Sequence, residues 1–194
     1  MEPFLCAARP SSHGTQSSGD DTDSEGETLA SRPVGPTAVP GASPAIPVLV
    51  AAMEPRALAA AGELADGTIP FLAGPRTLAE RIVPAITEAA AAAGRPAPQI
   101  VAGVPAVVTD DAAAARDRVS AVLGFYDSIP SYRKAIATEG LSHAADLLIA
   151  GDEDTVTAGL RRYLDAGATE VMLTHTDLFD TEDRARTWSI AQRL

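Results

Sequence analysis

Aromatic side chains are scarce in this 194-residue chain, 4% of the total with a single tryptophan, so they cannot dominate its core. Cysteine is almost missing. Cys6 stands alone, which excludes a disulfide framework and a thiolate metal site. Lysine occurs once, at Lys134, and the formal net charge is -11. A nucleic-acid surface needs clustered lysine and arginine to meet phosphates, so that class of partner is excluded. No uncharged apolar run approaches the roughly 20 residues that cross a bilayer. The first ten residues carry Glu2 where a secretory signal needs positive charge, and their apolar run is short. These absences lead to the expectation of a soluble protein in a reducing cytoplasm, with no membrane partner.

What is present is 46% hydrophobic residues, rich in alanine, leucine and valine, enough for one sizeable core and one ordered domain. Residues 1–44 do not belong to it on composition. Serine, glycine, proline and acids dominate there, with Ser17-Ser18-Gly19-Asp20-Asp21-Thr22-Asp23-Ser24-Glu25 at the centre. Such a segment buries too little apolar surface to offset the entropy of ordering, so it is expected to be a disordered acidic tail. The ordered domain is expected over 45–194.

From Pro44 onward, short apolar runs alternate with helical patterns. Val48-Leu49-Val50 forms a β-branched, uncharged strand of the kind covered on both faces, and it stops at Ala51-Ala52. Pro55 suits the first position of the following helix, Arg56 to Leu64, because its missing N–H would have been unpaired there anyway. The turn between them leaves backbone amides free at the positive end of a helix dipole, a place for a flat ring or a phosphate.

A second unit runs from Gly67-Thr68-Ile69-Pro70-Phe71-Leu72 through Ala73-Gly74-Pro75 into a helix from Arg76 to about Ala93. Leu78, Ile82 and Ile86 share one face of it, and Gly94 stops it. The third strand is Gln99 to Val108, followed by a helix capped within Thr109-Asp110-Asp111. Ile129-Pro130 breaks that helix, and 127–151 reads as an insertion flanked by Tyr126 and Tyr132, which are placed to line a substrate mouth, although Tyr126 keeps core spacing. Leu147 to Gly151 is a short apolar run before a helix opened by Asp152-Glu153-Asp154. Glu170 to His175 is the last strand, and Thr181-Glu182-Asp183 is expected to cap the final helix.

Strands alternating with helices imply parallel pairing through right-handed crossovers. The fold class is therefore α/β, with about four β/α units. A closed eight-stranded barrel takes about 250 residues, and the 194-residue chain has too few once its tail is set aside.

His175 ends the last strand, where barrel enzymes place reactive groups, and its ring can take part in proton transfer near neutral pH. A structural role, capping the strand end, stays open beside the catalytic one. His13 and His143 lie too far away in the pattern to share a metal with it, so no metal is expected. Arg76 at a helix start opposes the dipole, and an ion pair with Glu80 one turn on accounts for it.

Taken together, Pro47 to Leu58, Gly62 to Ile69 with Ala73-Gly74-Pro75-Arg76-Thr77-Leu78, Gly151-Asp152-Glu153-Asp154-Thr155-Val156 and Asp165-Ala166-Gly167-Ala168-Thr169 resemble the carboxyl-terminal half of the bacterial luciferase-like proteins. Within them the chain is most similar to deazaflavin-dependent oxidoreductases that use coenzyme F420, over roughly Glu25 to Leu194. The resemblance implies that residues 45–194 supply strands five to eight of a TIM-type (β/α)8 barrel, a half barrel whose first four strands have no counterpart here. It implies a cofactor side built by Ala51, Ala52, Met53, Glu54 and Pro55, with Glu54 where relatives carry glycine, and by Phe71, Leu72, Ala73 and Gly74 on the loop that closes against the ring. The implied reaction is hydride transfer between F420 and a small organic substrate, with His175 as the catalytic candidate. Two alternatives stay open: an FMN-dependent monooxygenase of the same superfamily, and a non-catalytic half barrel that pairs with another copy or with a chain supplying the missing half.

Overall fold

The computed structural model describes residues 24–25, 30–31, 46–190 and 194. Residues up to Pro47 and residues from Val48 onward form separate units. In the first, β1 (Ser24–Glu25) and β2 (Ala30–Ser31) pair antiparallel. The rest of the tail expected over 1–44 lies outside the described residues.

The second unit opens with β3 (Leu49–Val50), shorter than the apolar run because side chains take over the ladder at both ends. The Val48 N–H donates to Asp66 Oδ2 at 2.7 Å, and the Ala52 N–H donates to Thr68 Oγ1 at 3.3 Å. Helix α1 (Pro55–Leu64) follows with proline in its first turn, as its fixed φ favours. Then comes β4 (Gly67–Thr68). Glycine is required at position 67, since a β-carbon there would collide with the Gln99 carbonyl of the neighbouring strand.

The second helix is built in three pieces. α2 (Pro75–Thr77) runs into a π-helical turn at Leu78–Ile82 and then into α3 (Val83–Ala92). The wide turn closes with the Val83 N–H donating to the Leu78 carbonyl. β5 (Gln99–Val108) has the bounds its sequence pattern predicts. α4 (Ala112–Leu123) is capped by Asp111, whose Oδ1 accepts from the Ala114 N–H at 2.9 Å. The insertion holds a 3-10 turn at Gly124–Ser128, helix α5 (Pro130–Thr138) and a second 3-10 turn at Ala144–Leu147. Asp127 ties these together: its Oδ1 accepts from the Ala144 N–H at 2.7 Å and its Oδ2 sits 3.1 Å from His143 Nδ1. The amide, more than the imidazole, holds the Asp127 carboxyl below its ordinary range.

β6 (Ile149–Gly151), α6 (Glu153–Asp165), β7 (Glu170–Thr174) and α7 (Thr181–Ser189) complete the chain. α7 is capped one residue earlier than its acids suggest: Asp180 Oδ1 accepts from the Asp183 N–H at 2.9 Å, leaving Thr181 inside the first turn. Arg186 then fastens α7 to its neighbours, with Nε and Nη2 on the Glu153 carboxylate at 2.9 and 3.1 Å and Nη1 on Asp110 at 3.1 Å.

All strand pairs in this unit are parallel. Gly103 pairs with Met172 of β7 and bridges to Phe71 after β4, so the four strands lie in the order β3-β4-β5-β7. β6 joins only the last three residues of β5. This is a segment of a TIM-type barrel, with helices returning each strand to the next.

Two cores hold it. One lies between the sheet and the outer helices, where Ile100, Ala102, Val104, Ala106 and Val108 of β5 meet Leu58, Leu78, Ile82, Ile86, Val156 and Leu160. The other lies under the insertion, where Val107 and Leu72 meet Val119, Leu123, Ile136 and Leu147. Among the described residues no helix is long and apolar enough to cross a membrane.

Candidate functional site

The turn after β3 and the loop after β4 meet at the carboxyl ends of the strands, as parallel pairing dictates. Ala51, Ala52, Met53 and Glu54 line a cavity of about 260 Å3 together with Ala57, Ile69, Phe71, Ser131 and Tyr132. Five of the residues expected to face a cofactor, Ala51, Ala52, Met53, Glu54 and Phe71, are thus brought together. Pro55, Leu72, Ala73 and Gly74 stand outside that lining, and so does His175. Leu72 has a positive φ of 54°, which turns its side chain into the second core, where it is buried. Ala73 is buried in the first core.

Helix α1 presents an open amino terminus to this cavity. Glu54 precedes the helix without capping it through its side chain. Its carboxylate instead lies 3.9 Å from Arg81 Nη2 and 4.0 Å from Lys134 Nζ. The turn therefore carries a half-exposed acid with two cations beside it, and backbone donors at the positive end of a dipole.

The amino terminus of α2 is different. The Thr77 N–H and hydroxyl donate to Glu139 Oε1 at 2.6 and 2.7 Å, and the Arg76 N–H donates to Glu139 Oε2 at 3.2 Å. A carboxylate from the end of α5 thus caps a helix more than sixty residues earlier in the chain. Gly74 makes room for it, because a β-carbon there would collide with that carboxylate. Arg76 itself pairs with Glu80, Nε to Oε1 at 2.8 Å, as their spacing predicts. Sequence patterns missed Glu139 because a side chain reaching between distant elements leaves no periodic trace.

An aromatic cluster roofs the cavity. Phe71 meets Tyr126 edge-on at 5.4 Å and Tyr132 at 6.4 Å, and the two tyrosines meet each other at 4.8 Å. Burial, with some help from Tyr126, raises the pKa of the Tyr132 phenol. The loop after β4 delivers Phe71, and the 3-10 turn after α4 and helix α5 deliver the two tyrosines. Of the two tyrosines picked out from sequence, Tyr132 lines the cavity and Tyr126 packs against the second core.

His175 stacks on Phe71, ring centroids 5.7 Å apart and 21° from parallel. Its backbone is left-handed, with φ 61° and ψ 19°, and its Nδ1 lies 3.1 Å from Thr174 Oγ1. Burial lowers its pKa, only partly countered by Asp177, so the ring is neutral at pH 7. It touches the candidate pocket through Phe71. Among the described residues no three histidine, cysteine or acidic side chains gather as a metal site requires.

The geometry has clear relatives. A family model described as luciferase-like monooxygenase matches residues 15–170. Comparison with curated proteins returns no match. Among solved structures, the coenzyme F420 dependent tetrahydromethanopterin reductase from Methanopyrus kandleri is 25% identical over 65% of this chain and 44% of its own, with a TM-score of 0.51. An F420-dependent secondary alcohol dehydrogenase, in complex with an F420-acetone adduct, is 19% identical over 78% of this chain and 49% of its own, with a TM-score of 0.62. The monooxygenase RslO1 from Streptomyces bottropensis is 20% identical over 90% of this chain and 55% of its own, with a TM-score of 0.60. The last two establish likeness of fold. The chain spans about half the length of these structures. With the family model covering most of its residues, this chain belongs to the luciferase-like monooxygenase family.

Proposed function

We propose that the unit from Val48 onward forms one wall of a cofactor site in a luciferase-like oxidoreductase, and that the cofactor is the deazaflavin coenzyme F420. The observation that supports this is the turn Ala51–Glu54, whose small residues and uncapped helix border a cavity roofed by Phe71 and Tyr132. Short side chains at Ala51 and Ala52 let a planar ring approach the backbone. The free amides at the start of α1, with Arg81 and Lys134 near, suit a phosphate, while Glu54 must turn its carboxylate aside. The residues fit part of such a molecule. A cavity of about 260 Å3 falls below the roughly 300 to 1,000 Å3 of complete small-molecule sites, so the remaining wall belongs to segments that the longer relatives carry.

When bound, the deazaflavin supplies hydride chemistry toward a small organic substrate. This chain's residues would hold it and exclude water. The roof of Phe71, Tyr126 and Tyr132 is a cluster of packed aromatic rings, which favours a dry site. His175, neutral at pH 7, would orient a substrate oxygen: with Thr174 Oγ1–H donating to Nδ1, the proton rests on Nε2, free to donate. The single cysteine, Cys6, accords with a cytoplasmic setting.

Titration of F420 into the purified protein, followed by the cofactor's own fluorescence, tests this reading. Saturable quenching that is weakened by Ala52→Leu is expected; an unchanged signal, or equal binding by the variant, overturns it. FMN in parallel decides between the deazaflavin and the flavin-dependent alternative.

A second reading rests on the chain's coverage of about half of its relatives and on the outer edges of β3 and β7, which have no strand partner among the described residues. Unpaired edges recruit partners. In this reading the unit is a partner-dependent half barrel, completed by a second copy or by a chain carrying the other four strands. A monodisperse monomer by light scattering that binds F420 counts against it.

A further inference from the structure

A cavity of about 520 Å3 lies on the helical side of the unit, between the end of α5, the 3-10 turn Ala144–Leu147, β6 and one face of α6. It is twice the volume of the cavity beside the turn after β3 and shares no lining residue with it. We propose that it binds a small, uncharged, apolar molecule carrying a carbonyl oxygen, with Tyr163 and Arg162 donating to that oxygen. The proposal goes beyond the cofactor reading and stands whether or not a cofactor binds.

Small residues form the α6 wall. On α6, Ala158 presents almost no side chain to the cavity, while Gly159 lets Ile149 pack directly on the helix, since a β-carbon there would come within 2.6 Å of Ile149 Cγ2. Leu141, Leu147 and Ile149 supply an apolar wall, and the volume falls within the range of small-molecule sites.

The polar groups then select the ligand. Tyr163 is 4% exposed and lines this cavity. Its hydroxyl makes no hydrogen bond among the described residues. Burial raises its pKa strongly, so it is a phenol and a donor at any working pH. Arg162 also lines the cavity and forms no salt bridge among the described residues. A guanidinium is only a donor. Tyr163, buried and without a hydrogen bond among the described residues, therefore asks for an acceptor, and the solvent-exposed Arg162 can add a second donor.

The two acids on the rim are already engaged by backbone amides. Glu139 accepts from Arg76 and Thr77, and Asp146 Oδ2 accepts from the Ser142 and His143 N–H groups at 3.3 and 2.9 Å. Two negative charges against one positive disfavour an anionic ligand, and Arg162 disfavours a cationic one. An uncharged carbonyl compound with a hydrocarbon body satisfies every wall.

The test uses 2-octanone, with octane and octanoate as matched probes lacking the acceptor or adding a charge. Binding is followed by methyl NMR of leucine, isoleucine and alanine. Expected are saturable shifts at Leu141, Leu147 and Ile149, with octane and octanoate each binding more weakly than the ketone. Tyr163→Phe, which removes a hydroxyl that bonds to nothing in the fold, should weaken the ketone about fivefold, the worth of one net hydrogen bond. Ala158→Phe should abolish the shifts by filling the space. Octane binding as tightly as the ketone, octanoate binding more tightly, unchanged affinity in a folded Tyr163→Phe, or shifts confined to Ala51, Ala52 and Ile69 would each overturn the proposal.

Discussion

The two faces of β5 live in different surroundings. Toward the outer helices, Val104, Ala106 and Val108 are wholly buried against α1, α3 and α6. On the opposite face, Val101 is only half-buried, and on the neighbouring strand Met172 is 41% exposed beside an exposed Glu170. That second face is sealed only near the carboxyl ends of the strands, where Leu123 of α4 and Ile136 and Leu147 of the insertion pack with Val107. The contrast teaches where stability and function reside. The helical side holds the most deeply buried packing, while the inner side keeps exposed surface toward the amino ends of its strands.

The largest effect should come from breaking the sealed side. Leu160→Ala removes a fully buried side chain from the first core and should cost about 2–5 kcal/mol in chemical denaturation. Met172→Ala, on the open face, should cost about 1 kcal/mol or less. Equal losses would abolish the distinction. Next in size is Glu139→Ala, which strips the α2 amides of their carboxylate and should cost about 1–2 kcal/mol, with the loosening seen as faster hydrogen exchange at Arg76 and Thr77.

A smaller effect is expected at the rim of the open face, and it depends on pH. Burial lowers the His175 pKa in the folded state, so the unfolded chain binds that proton more readily. Stability from this group is complete above the unfolded value of about 6.5 and is lost as pH falls through the folded value. Melting temperatures taken from about pH 8 down to 5 should fall more for the parent than for His175→Asn, which also tolerates the left-handed backbone. Parallel curves would remove His175 from this account. The smallest change lies on α6, where Thr157 Oγ1 is buried without a hydrogen-bond partner. Thr157→Val should raise stability by up to about 1 kcal/mol, because the unpaired hydroxyl costs desolvation.

The sequence made much of this architecture legible. β5 was readable over its full length because its residues are uncharged and apolar from Ile100 to Val108, with only Gly103 and Pro105 interrupting the β-branched and alanine pattern. Asp111 and Asp152 announced their helices by local chemistry that needs no tertiary partner. The turn Ala51–Glu54 could be placed because it joins two such elements. What escaped was set by long-range contact. β3 shrank to two residues because Asp66 and Thr68 side chains replaced ladder bonds, and the Glu139 cap spans elements that no window of sequence compares. His175 was correctly placed at a strand end, but its stacking on Phe71 depends on the loop after β4, whose path is set by the positive φ of Leu72.

The π-helical turn at Leu78–Ile82 sets the alignment of the whole second helix. Four residues of ordinary α-helix overshoot a full revolution by about 40°, so side chains spaced by four would spiral gradually off the sheet. The wider turn undershoots and cancels that drift, which is how Leu78, Ile82 and Ile86 all reach complete burial along one straight line. It also lies just ahead of Pro84, whose ring finds slack in a loosened coil that a regular one would deny it. One surplus residue thus works as a phase corrector, and a deletion there would rotate everything downstream away from the sheet while leaving the composition of the helix almost untouched.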